Sequence, residues 1–403
     1  MSRPSRRWIL LLAVVLVACD ADAPSPDTYE ATVSAGDVDR DAVLVSATVD
    51  RPSGVEEGAI CVSKDDQEQA GQFELLNEET GRIWWRATVA AGETATYVLH
   101  LGRDCADRSF AWGNTEEYTT PLLLEKTPRL EYVHPEFDPD DLERTKKPFH
   151  HVYSPDGEQR LTKGPGGLYS HHRGLFFGYG EIAVDGDTLN TWYANDGEHQ
   201  AHRETLRRAE GPLVGGHTTV IEWRDRDGEP FIEEHRTVRV LAAGEEHVFV
   251  DFESEVHSLE GTIQLDGDRQ HAGVQFRAAQ YVAEHEEQTR YLRPAEWADL
   301  PPDEEYNGDD YVDLPWNAIQ FRIEERPYTV AYLSDPANPD GARFSERLYG
   351  RFGEFFPYEL TEEAPLTVRY RFWITGREDV SREEVQRHYE NFAHPPEVRL
   401  QQE

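Results

Sequence analysis

The sequence predicts an all-β protein: an N-terminal immunoglobulin-like sandwich, then a large antiparallel β-sandwich similar to a supersandwich, and one short C-terminal helix. Two observations lead to this fold class. Polar and apolar residues alternate over long runs such as 216–224 and 246–256, and turn-forming residues separate the runs. Long antiparallel strands need a second packed sheet to bury one face of each, which favours sandwiches over isolated sheets.

The first 19 residues have the pattern of a bacterial lipoprotein signal peptide. Basic residues precede an apolar run at 8–17 that is too short to span a bilayer as a helix. The run ends in Leu-Val-Ala-Cys, which makes Cys19 the predicted lipidation site; an ordinary secretory peptide with a chance cysteine is the alternative. Residues 20–28 are interpreted as a flexible tether. We therefore expect a lipid-anchored protein of the bacterial cell envelope, on the periplasmic or extracellular face.

Short β-type segments separated by turns fill residues 29–107 and predict the small sandwich, which we interpret as an accessory domain because it holds no catalytic cluster. It contains the two remaining cysteines, Cys61 and Cys105. Outside the cytoplasm such a pair is readily oxidised, so a disulfide is predicted, with two free buried thiols as the alternative.

The large sandwich is predicted to span residues 122–396. Its strands show alternation in seven or more long runs, and its helix is expected at the end of the domain. There Ser381 and Glu384 form a capping box, and Pro395 follows as a stop signal.

Composition and missing motifs exclude several classes of function. The formal net charge is −38, from 78 acidic and 40 basic residues, which argues against nucleic acid and anionic membrane surfaces as partners. The large domain has no Gly-x-Ser-x-Gly elbow, phosphate loop, dinucleotide fingerprint or His-Glu-x-x-His motif. These absences remove the common serine hydrolases, nucleotide enzymes and helical metalloproteases.

The stretch 169–181 is the candidate catalytic segment, because two adjacent histidines and an arginine precede a glycine and an apolar strand. Proton transfer needs an imidazole or carboxylate opposite a second such group. We interpret His171 or His172 as the proton-transfer group and Arg173 as a clamp on a substrate oxygen. For any single histidine, a hydrogen-bonded core or surface position is the alternative.

Two further sets of residues complete the predicted site. Aromatic rings stack on sugars, and guanidinium groups bind carboxylates or carbonyl oxygens. The predicted substrate-binding residues are His150, His151, Trp192, Tyr193, Arg277 and Arg347. A divalent metal is the one cofactor that the histidines suggest, and its predicted ligands are His199, His202 and His271.

Several segments carry a resemblance to a known family. The runs 148–157, 170–175, 328–339 and 349–353 resemble the secreted bacterial PmoA-like family, a family of unknown function labelled as a methane oxygenase. The resemblance spans roughly residues 125–378. Members of that family lie beside sugar oxidoreductases and keto-sugar-cleaving enzymes, which implies a role in carbohydrate catabolism. Methane oxidation is not expected, since a particulate methane monooxygenase subunit is a polytopic membrane protein and the predicted mature chain has no long apolar segment.

Three functional hypotheses follow. The first is an envelope enzyme acting on a sugar or keto-sugar by hydrolysis, elimination or epimerisation, with or without a metal. The second is a non-catalytic glycan-binding lipoprotein that uses the same residues to hold a small carbohydrate. The third is a structural envelope protein, for which the histidine clusters would lie far apart. The distances between the histidines discriminate the third hypothesis from the other two.

Overall fold

The computed structural model describes residues 28–242, 244, 246–268, 270–300 and 311–402. The predicted all-β class is confirmed, since strands in several antiparallel sheets make up most of the described chain. The predicted signal peptide with Cys19, and the tether up to residue 27, lie outside the described residues. No helix in the described ranges is both long and apolar enough to cross a membrane.

The N-terminal part forms one seven-stranded sheet in the order β2-β5-β4-β3-β6-β1-β27. Its first six strands are β1 (Thr28–Ser34), β2 (Arg40–Asp50), β3 (Gly58–Lys64), β4 (Gln67–Leu75), β5 (Thr80–Val89) and β6 (Thr94–His100). The sheet has its own core, which includes Phe73, Ile83 and Trp85. A disulfide joins Cys61 to Cys105, with their Cα atoms 4.9 Å apart.

Two eight-stranded sheets and one four-stranded sheet form the rest. The front sheet has the order β23-β24-β19-β11-β10-β9-β8-β7, and the back sheet has the order β14-β15-β16-β17-β26-β22-β21-β20. The small sheet has the order β13-β12-β18-β25. The front-sheet strands are β7 (Phe110–Trp112), β8 (Thr119–Leu124), β9 (Thr127–Val133), β10 (Phe149–Val152), β11 (Leu175–Gly178), β19 (Gly273–Arg277), β23 (Arg343–Arg347) and β24 (Arg351–Phe355).

The back-sheet strands are β14 (His199–Ala209), β15 (Val214–Arg224), β16 (Pro230–Ala242), β17 (His247–Ser258), β20 (Arg290–Leu292), β21 (Trp316–Ile323), β22 (Arg326–Ser334) and β26 (Leu366–Thr375). Those of the small sheet are β12 (Glu181–Val184), β13 (Asp187–Leu189), β18 (Ile263–Asp266) and β25 (Tyr358–Leu360). The front and back sheets share one core: Phe177 and Phe276 of the front sheet belong to the same apolar cluster as Trp223 and Phe252 of the back sheet.

Helices are few and short. The predicted C-terminal helix is present as α3 (Arg382–Ala393), and the Ser381 hydroxyl accepts a hydrogen bond from the amide of Glu384 at 3.2 Å. The other helices among the described residues are α1 (Leu142–Thr145), α2 (Gln280–Glu284) and 3-10 turns at Pro139–Asp141, Glu286–Gln288 and Ala295–Trp297.

The last strand, β27 (Glu397–Gln402), returns to the N-terminal sheet and pairs with β1. The two parts also meet at Gln72, which is buried in β4. Its Oε1 atom accepts hydrogen bonds from the amides of Leu213 and Val214, at 3.0 and 2.8 Å, and its Nε2 atom donates to the Val214 carbonyl at 2.9 Å. One amide side chain thus satisfies three backbone groups that are withdrawn from water.

We predict that Gln72→Leu lowers the free energy of unfolding by about 2–4 kcal/mol, because buried backbone groups that lose their partner keep their desolvation penalty. Urea denaturation followed by tryptophan fluorescence measures the loss. Gln67→Leu, at an exposed position of the same strand, is the matched control and should change the midpoint little. Equal effects of the two substitutions would contradict this account.

Candidate functional site

A tight turn before β11 presents the candidate catalytic segment. Gly174 has φ +38°, and a Cβ atom there would collide with the carbonyl of His150. Only a residue without a side chain can therefore bring the backbone this close to the front sheet. The Gly174 amide donates to the carbonyl of Lys163 at 2.8 Å, and its own carbonyl accepts from the amide of Arg277 at 2.8 Å. These bonds fix the backbone of the two residues before the glycine, His172 and Arg173.

The site lies on the outer face of the front sheet, because side chains alternate along its strands. Phe276 and Phe352 point into the core shared with the back sheet. Their neighbours Arg277 and Arg351 therefore project from the outer face, and both are fully buried there by the loops that cover the sheet. Phe176, between two core residues of β11, likewise faces outward and packs with Trp192 at a ring separation of 4.8 Å.

Three histidines converge on this face, and we call His171, His172 and His271 the imidazole cluster. The rings of His171 and His172 are 4.1 Å apart, and that of His271 is 6.2 Å from His171. Tyr193 lies between them, 4.7 Å from His171 and 5.3 Å from His271. The structure thus brings together five predicted site residues from three separate segments: His171, His172, Trp192, Tyr193 and His271.

Several ring nitrogens of this group are buried without a hydrogen-bond partner in the described chain. They are Nε2 of His171, both ring nitrogens of His172, and Nε1 of Trp192. Burial and then Lys147 lower the pKa of His171 to about 3, and burial and then Arg351 hold the pKa of His172 well below its usual value. Both imidazoles are therefore neutral at physiological pH, with nitrogen atoms available to bond a ligand.

His271 has a partner that orients its ring. Its Nδ1 atom lies 2.8 Å from Oδ2 of Asp268. Burial alone would raise the pKa of the Asp268 carboxyl group, but hydrogen bonds from His271 and from the Gln270 amide lower it. A carboxylate that accepts from Nδ1 leaves Nε2 as the basic atom. This is the arrangement of an oriented general base.

Six buried basic residues surround the imidazole cluster. One of them, Arg351, donates to the side chains of Tyr349, Gln275 and Ser345. We call the other five the cation cluster: Lys146, Lys147, Lys163, Arg173 and Arg277. Sequence reasoning identified the two arginines but missed the lysines, because lysine normally signals a solvated surface. The three ammonium groups donate to backbone carbonyls. Lys163 donates to Gly166 at 2.6 Å and Leu168 at 2.7 Å, Lys147 to Thr191 and Trp192 at 2.6 Å each, and Lys146 to Tyr193 at 2.7 Å.

The two guanidinium groups are only partly satisfied. Arg173 donates through Nη2 to the carbonyl of Glu143 at 3.0 Å, while its Nε and Nη1 atoms have no partner in the described chain. Arg277 donates through Nη1 to the carbonyls of Ala278 and Tyr349, while its Nε and Nη2 atoms have none. Its guanidinium carbon also lies 5.0 Å from the centre of the Tyr349 ring, another residue that the sequence did not identify.

His150, a predicted substrate-binding residue, does not lie near the imidazole cluster. It alternates with His151, so its ring points between the two sheets, where Nε2 is 2.8 Å from Nε2 of His217 on the back sheet. Tyr132 stacks on His150 at 4.8 Å, and its hydroxyl group is 3.1 Å from Nδ1 of the predicted metal ligand His202. The structure therefore corrects the prediction that all of these histidines form one site. The rings of His150, His217, Tyr132 and His202 form a separate buried group inside the sandwich.

The other predicted residues also lie outside the imidazole cluster. His151 bonds the hydroxyl of Thr162 at 3.0 Å and lines a cavity of about 710 Å³. Glu143 and Gly166, which contact the cation cluster, line the same cavity. His199 stacks on Phe137 at 3.7 Å, and its Nδ1 atom bonds the Gly197 carbonyl. The guanidinium of Arg347 donates to the Glu346 carbonyl at 2.7 Å.

The predicted metal ligands His199, His202 and His271 are not brought together. In the described ranges, the one group of three residues with metal-ligand spacing is Cys61, Glu68 and Cys105, and its cysteines form the disulfide. The three histidines each use Nδ1 in a different local bond, to Gly197, Tyr132 and Asp268 respectively. Residues that share one ion must aim at one point, and these do not.

Together these features define an all-β protein with two facing sheets and a histidine- and cation-lined site on the outer face of one of them. A model of a family of unknown function (DUF6807) matches residues 119–390, and the chain belongs to that family. No curated protein matches it significantly.

The similarity to solved structures is weak, as two of them illustrate. One is a protein in glycosyl hydrolase family 38 from Enterococcus faecalis, with a TM-score of 0.47 and 9% identity, over 94% of this chain and 48% of that one. The other is the GH36 alpha-galactosidase AgaA from Geobacillus stearothermophilus, with a TM-score of 0.32 and 7% identity, over 68% and 40%. The chain thus spans about half the length of the first. At these TM-scores, neither similarity bears on function.

We predict that stability falls as the pH is lowered from 8 to 5, with loss beginning near the unfolded-state histidine pKa of about 6.5. Burial, and then neighbouring histidines, hold the pKa values of His150 and His217 well below that value in the folded state. Unfolding therefore takes up protons over this range. The melting temperature across the pH series measures the effect.

The double substitution His150→Gln with His217→Gln should flatten this pH dependence, because it removes two of the buried titrating groups. His394→Gln, at an exposed position, should leave the slope unchanged. A melting temperature that stays constant between pH 8 and 5 would contradict the prediction.

Proposed function

We propose that the protein is a carbohydrate-active enzyme that acts on a sugar or keto-sugar by histidine-based proton transfer. One observation carries the proposal: His171 and His172 have ring nitrogens without a partner in the described chain, and His171 lies beside Tyr193 and the oriented pair of His271 and Asp268. Proton transfer requires such groups opposite each other, and a tyrosine ring gives a sugar a flat surface to stack on. The PmoA-like resemblance supports the same class of substrate.

The chemistry that fits these groups is proton abstraction from a carbon next to a carbonyl group. Nε2 of His271 takes the proton while Asp268 stabilises the imidazolium that forms, and the bonding pair becomes an enolate. The N–H groups of Arg173 that have no partner in the described chain are donors of the kind that stabilises such an oxyanion. His171 and His172 are neutral and hold the sugar hydroxyl groups.

The enolate then expels the oxygen substituent on the neighbouring carbon. The carbon–oxygen bond breaks, a carbon–carbon double bond forms, and His271 gives its proton to the departing oxygen. One substrate thus yields an unsaturated keto-sugar and an alcohol, with no further reagent. The same base also permits epimerisation, if the proton returns to the carbon from a donor on the other face.

Elimination and epimerisation fit the site better than glycoside hydrolysis. Most glycoside hydrolases use two carboxyl groups that face each other across the bond to be cleaved. In the described chain, three carboxylates lie near the imidazole and cation clusters. Asp268 is bonded to His271, Glu143 lies 3.9 Å from Arg173, and the buried Glu198 acts on Lys146 and lies 3.8 Å from Arg226. Each of them is engaged with a basic side chain. Acid–base work therefore falls to the imidazoles.

The proposed location is the bacterial cell envelope, with the chain held by a lipid on Cys19. The support is the pattern of the first 19 residues and the disulfide between Cys61 and Cys105, which is typical of proteins outside the cytoplasm. A small carbohydrate is the proposed ligand, and nucleic acid is not a proposed partner, given the net charge of −38.

We predict that His271→Gln lowers the turnover of keto-glycosides by about 10²–10⁴-fold, the usual contribution of a general base. Asp268→Asn should lower it less and shift the pH–rate profile, because the ring loses its orienting charge. A panel of keto-glycosides, with the released alcohol measured, provides the assay. His257→Gln on β17 is the control and should keep full activity.

Retained activity in His271→Gln would overturn the assigned base. Binding of the glycosides without turnover of any of them would overturn the enzyme proposal, and would favour the glycan-binding hypothesis instead.

A further inference from the structure

The site has a local charge that is opposite to that of the whole chain. The net charge is −38, yet five basic side chains of the cation cluster are buried together on the outer face of the front sheet. In the described chain, Glu143 is the carboxylate within 4 Å of them: it is 41% exposed and lies 3.9 Å from Arg173 and 4.0 Å from Lys146. The buried Glu198 also acts on Lys146 through its charge. Buried cations in proteins are normally paired with anions. These two carboxylates do not balance the cation cluster.

The protein satisfies these cations only in part. The lysines donate to carbonyl oxygens, which carry partial charges and no net charge. The guanidinium groups of Arg173 and Arg277 are 0% exposed and keep four donor atoms without a partner in the described chain. Each such donor retains the desolvation penalty of a buried charged group until a ligand bonds it.

The basic groups respond to this environment. Burial, and then Arg173, lower the pKa of Lys146 to about 8, and burial, and then Arg277, lower that of Lys163 to about 8. Burial is also the first cause that lowers the pKa of Arg277 to about 10. Each of these groups would be stabilised in its charged form by an anion.

We infer that the site binds the carboxylate of an acidic sugar, such as a uronic acid. The inference rests on the proposed function and specifies its substrate class. A carboxylate is planar and has two acceptor atoms, which match the paired donors of a guanidinium fork. The rings of Tyr169 and Tyr349, 4.3 Å apart, provide an apolar surface for the sugar next to Arg277.

Anion binding also changes the protonation of the lysines of the cation cluster. Lys146 and Lys163, with pKa values lowered to about 8, are only partly charged at pH 8. A bound carboxylate raises the affinity of these amino groups for protons. At pH 8, binding of an acidic sugar is therefore accompanied by proton uptake, whereas binding of a neutral sugar is not.

The experiment is isothermal titration calorimetry of the full chain at constant ionic strength with D-glucuronate, D-glucose and glucose 6-phosphate. The expected result is that glucuronate binds at least about tenfold more tightly than glucose, as one new charge-assisted hydrogen bond would produce. Titrations at pH 8 in two buffers of different ionisation enthalpy measure the proton uptake. Equal affinities for glucuronate and glucose would overturn the inference, and tighter binding of the phosphate would overturn the choice of a carboxylate.

Two variants locate the donors. Arg277→Met should remove most of the preference for glucuronate, and Arg277→Lys should retain part of it, because a charge remains without the fork. Arg326→Met, at an exposed ion pair with Glu158, is the control and should keep the full preference. Retained preference for glucuronate in Arg277→Met would overturn the role of Arg277. If that variant does not fold, the affinities of the unaltered chain for glucuronate and glucose test the inference.

Different experimental results would refute the inference and the proposed function. Turnover of a neutral keto-glycoside without any preference for glucuronate would refute the acidic substrate and leave the enzyme proposal standing. Selective binding of glucuronate without turnover of any sugar would refute the enzyme proposal and leave the binding of an acidic sugar standing.

Discussion

The hydrogen bonds from buried cations to backbone carbonyls hold the site together. An ammonium group has three donors, so one lysine can fix several carbonyls of a turn at once. Lys163 does this for the turn at 166–169, just before the imidazole cluster, and Lys147 does it for Thr191 and Trp192. Arg277 likewise donates a hydrogen bond to the carbonyl of Tyr349. The loops that carry His171 and His172, Trp192 and Tyr193, and Tyr349 are thus tied to a cation on or beside the front sheet. The ring of His271 is held instead by Asp268.

This arrangement explains why the site lies on the outer face of a sheet and not between the two sheets. The interior of the sandwich is filled by residues such as Phe177 and Phe276. The outer face is covered by loops and by the short helix α1, whose Glu143 carbonyl accepts a hydrogen bond from Arg173, and these segments leave backbone carbonyls that need donors. Cations on or beside the sheet supply those donors, and the loops in turn keep water from the cations. The loops and the buried charges thus stabilise each other.

Much of the fold could be predicted because its signals are local. Alternation identifies the strands, and the capping box at Ser381 identifies α3. Alternation also implies that His150 and His151 face opposite ways, so their separation in the structure was available from the sequence. The burial of Lys147 and Lys163 was not, because nothing near them in sequence distinguishes a buried lysine from a solvated one. The return of β27 to β1 depends on a pairing across nearly the whole chain, which no local pattern encodes.

The contrast between an acidic chain and a cationic site bears on how a ligand is selected. At physiological ionic strength, charges more than about 8 Å away are largely screened, so the surface carboxylates act only weakly on a molecule already inside the site. The buried guanidinium groups act at contact, in a medium of lower dielectric constant, where the same charge has a larger effect. Long-range repulsion slows the approach of every anion alike, whereas in the proposed complex the donors of Arg173 and Arg277 distinguish among the anions that arrive. If the site binds an acidic sugar as proposed, its selectivity is decided within a few ångströms of the front sheet, by guanidinium donors that have no partner in the described chain.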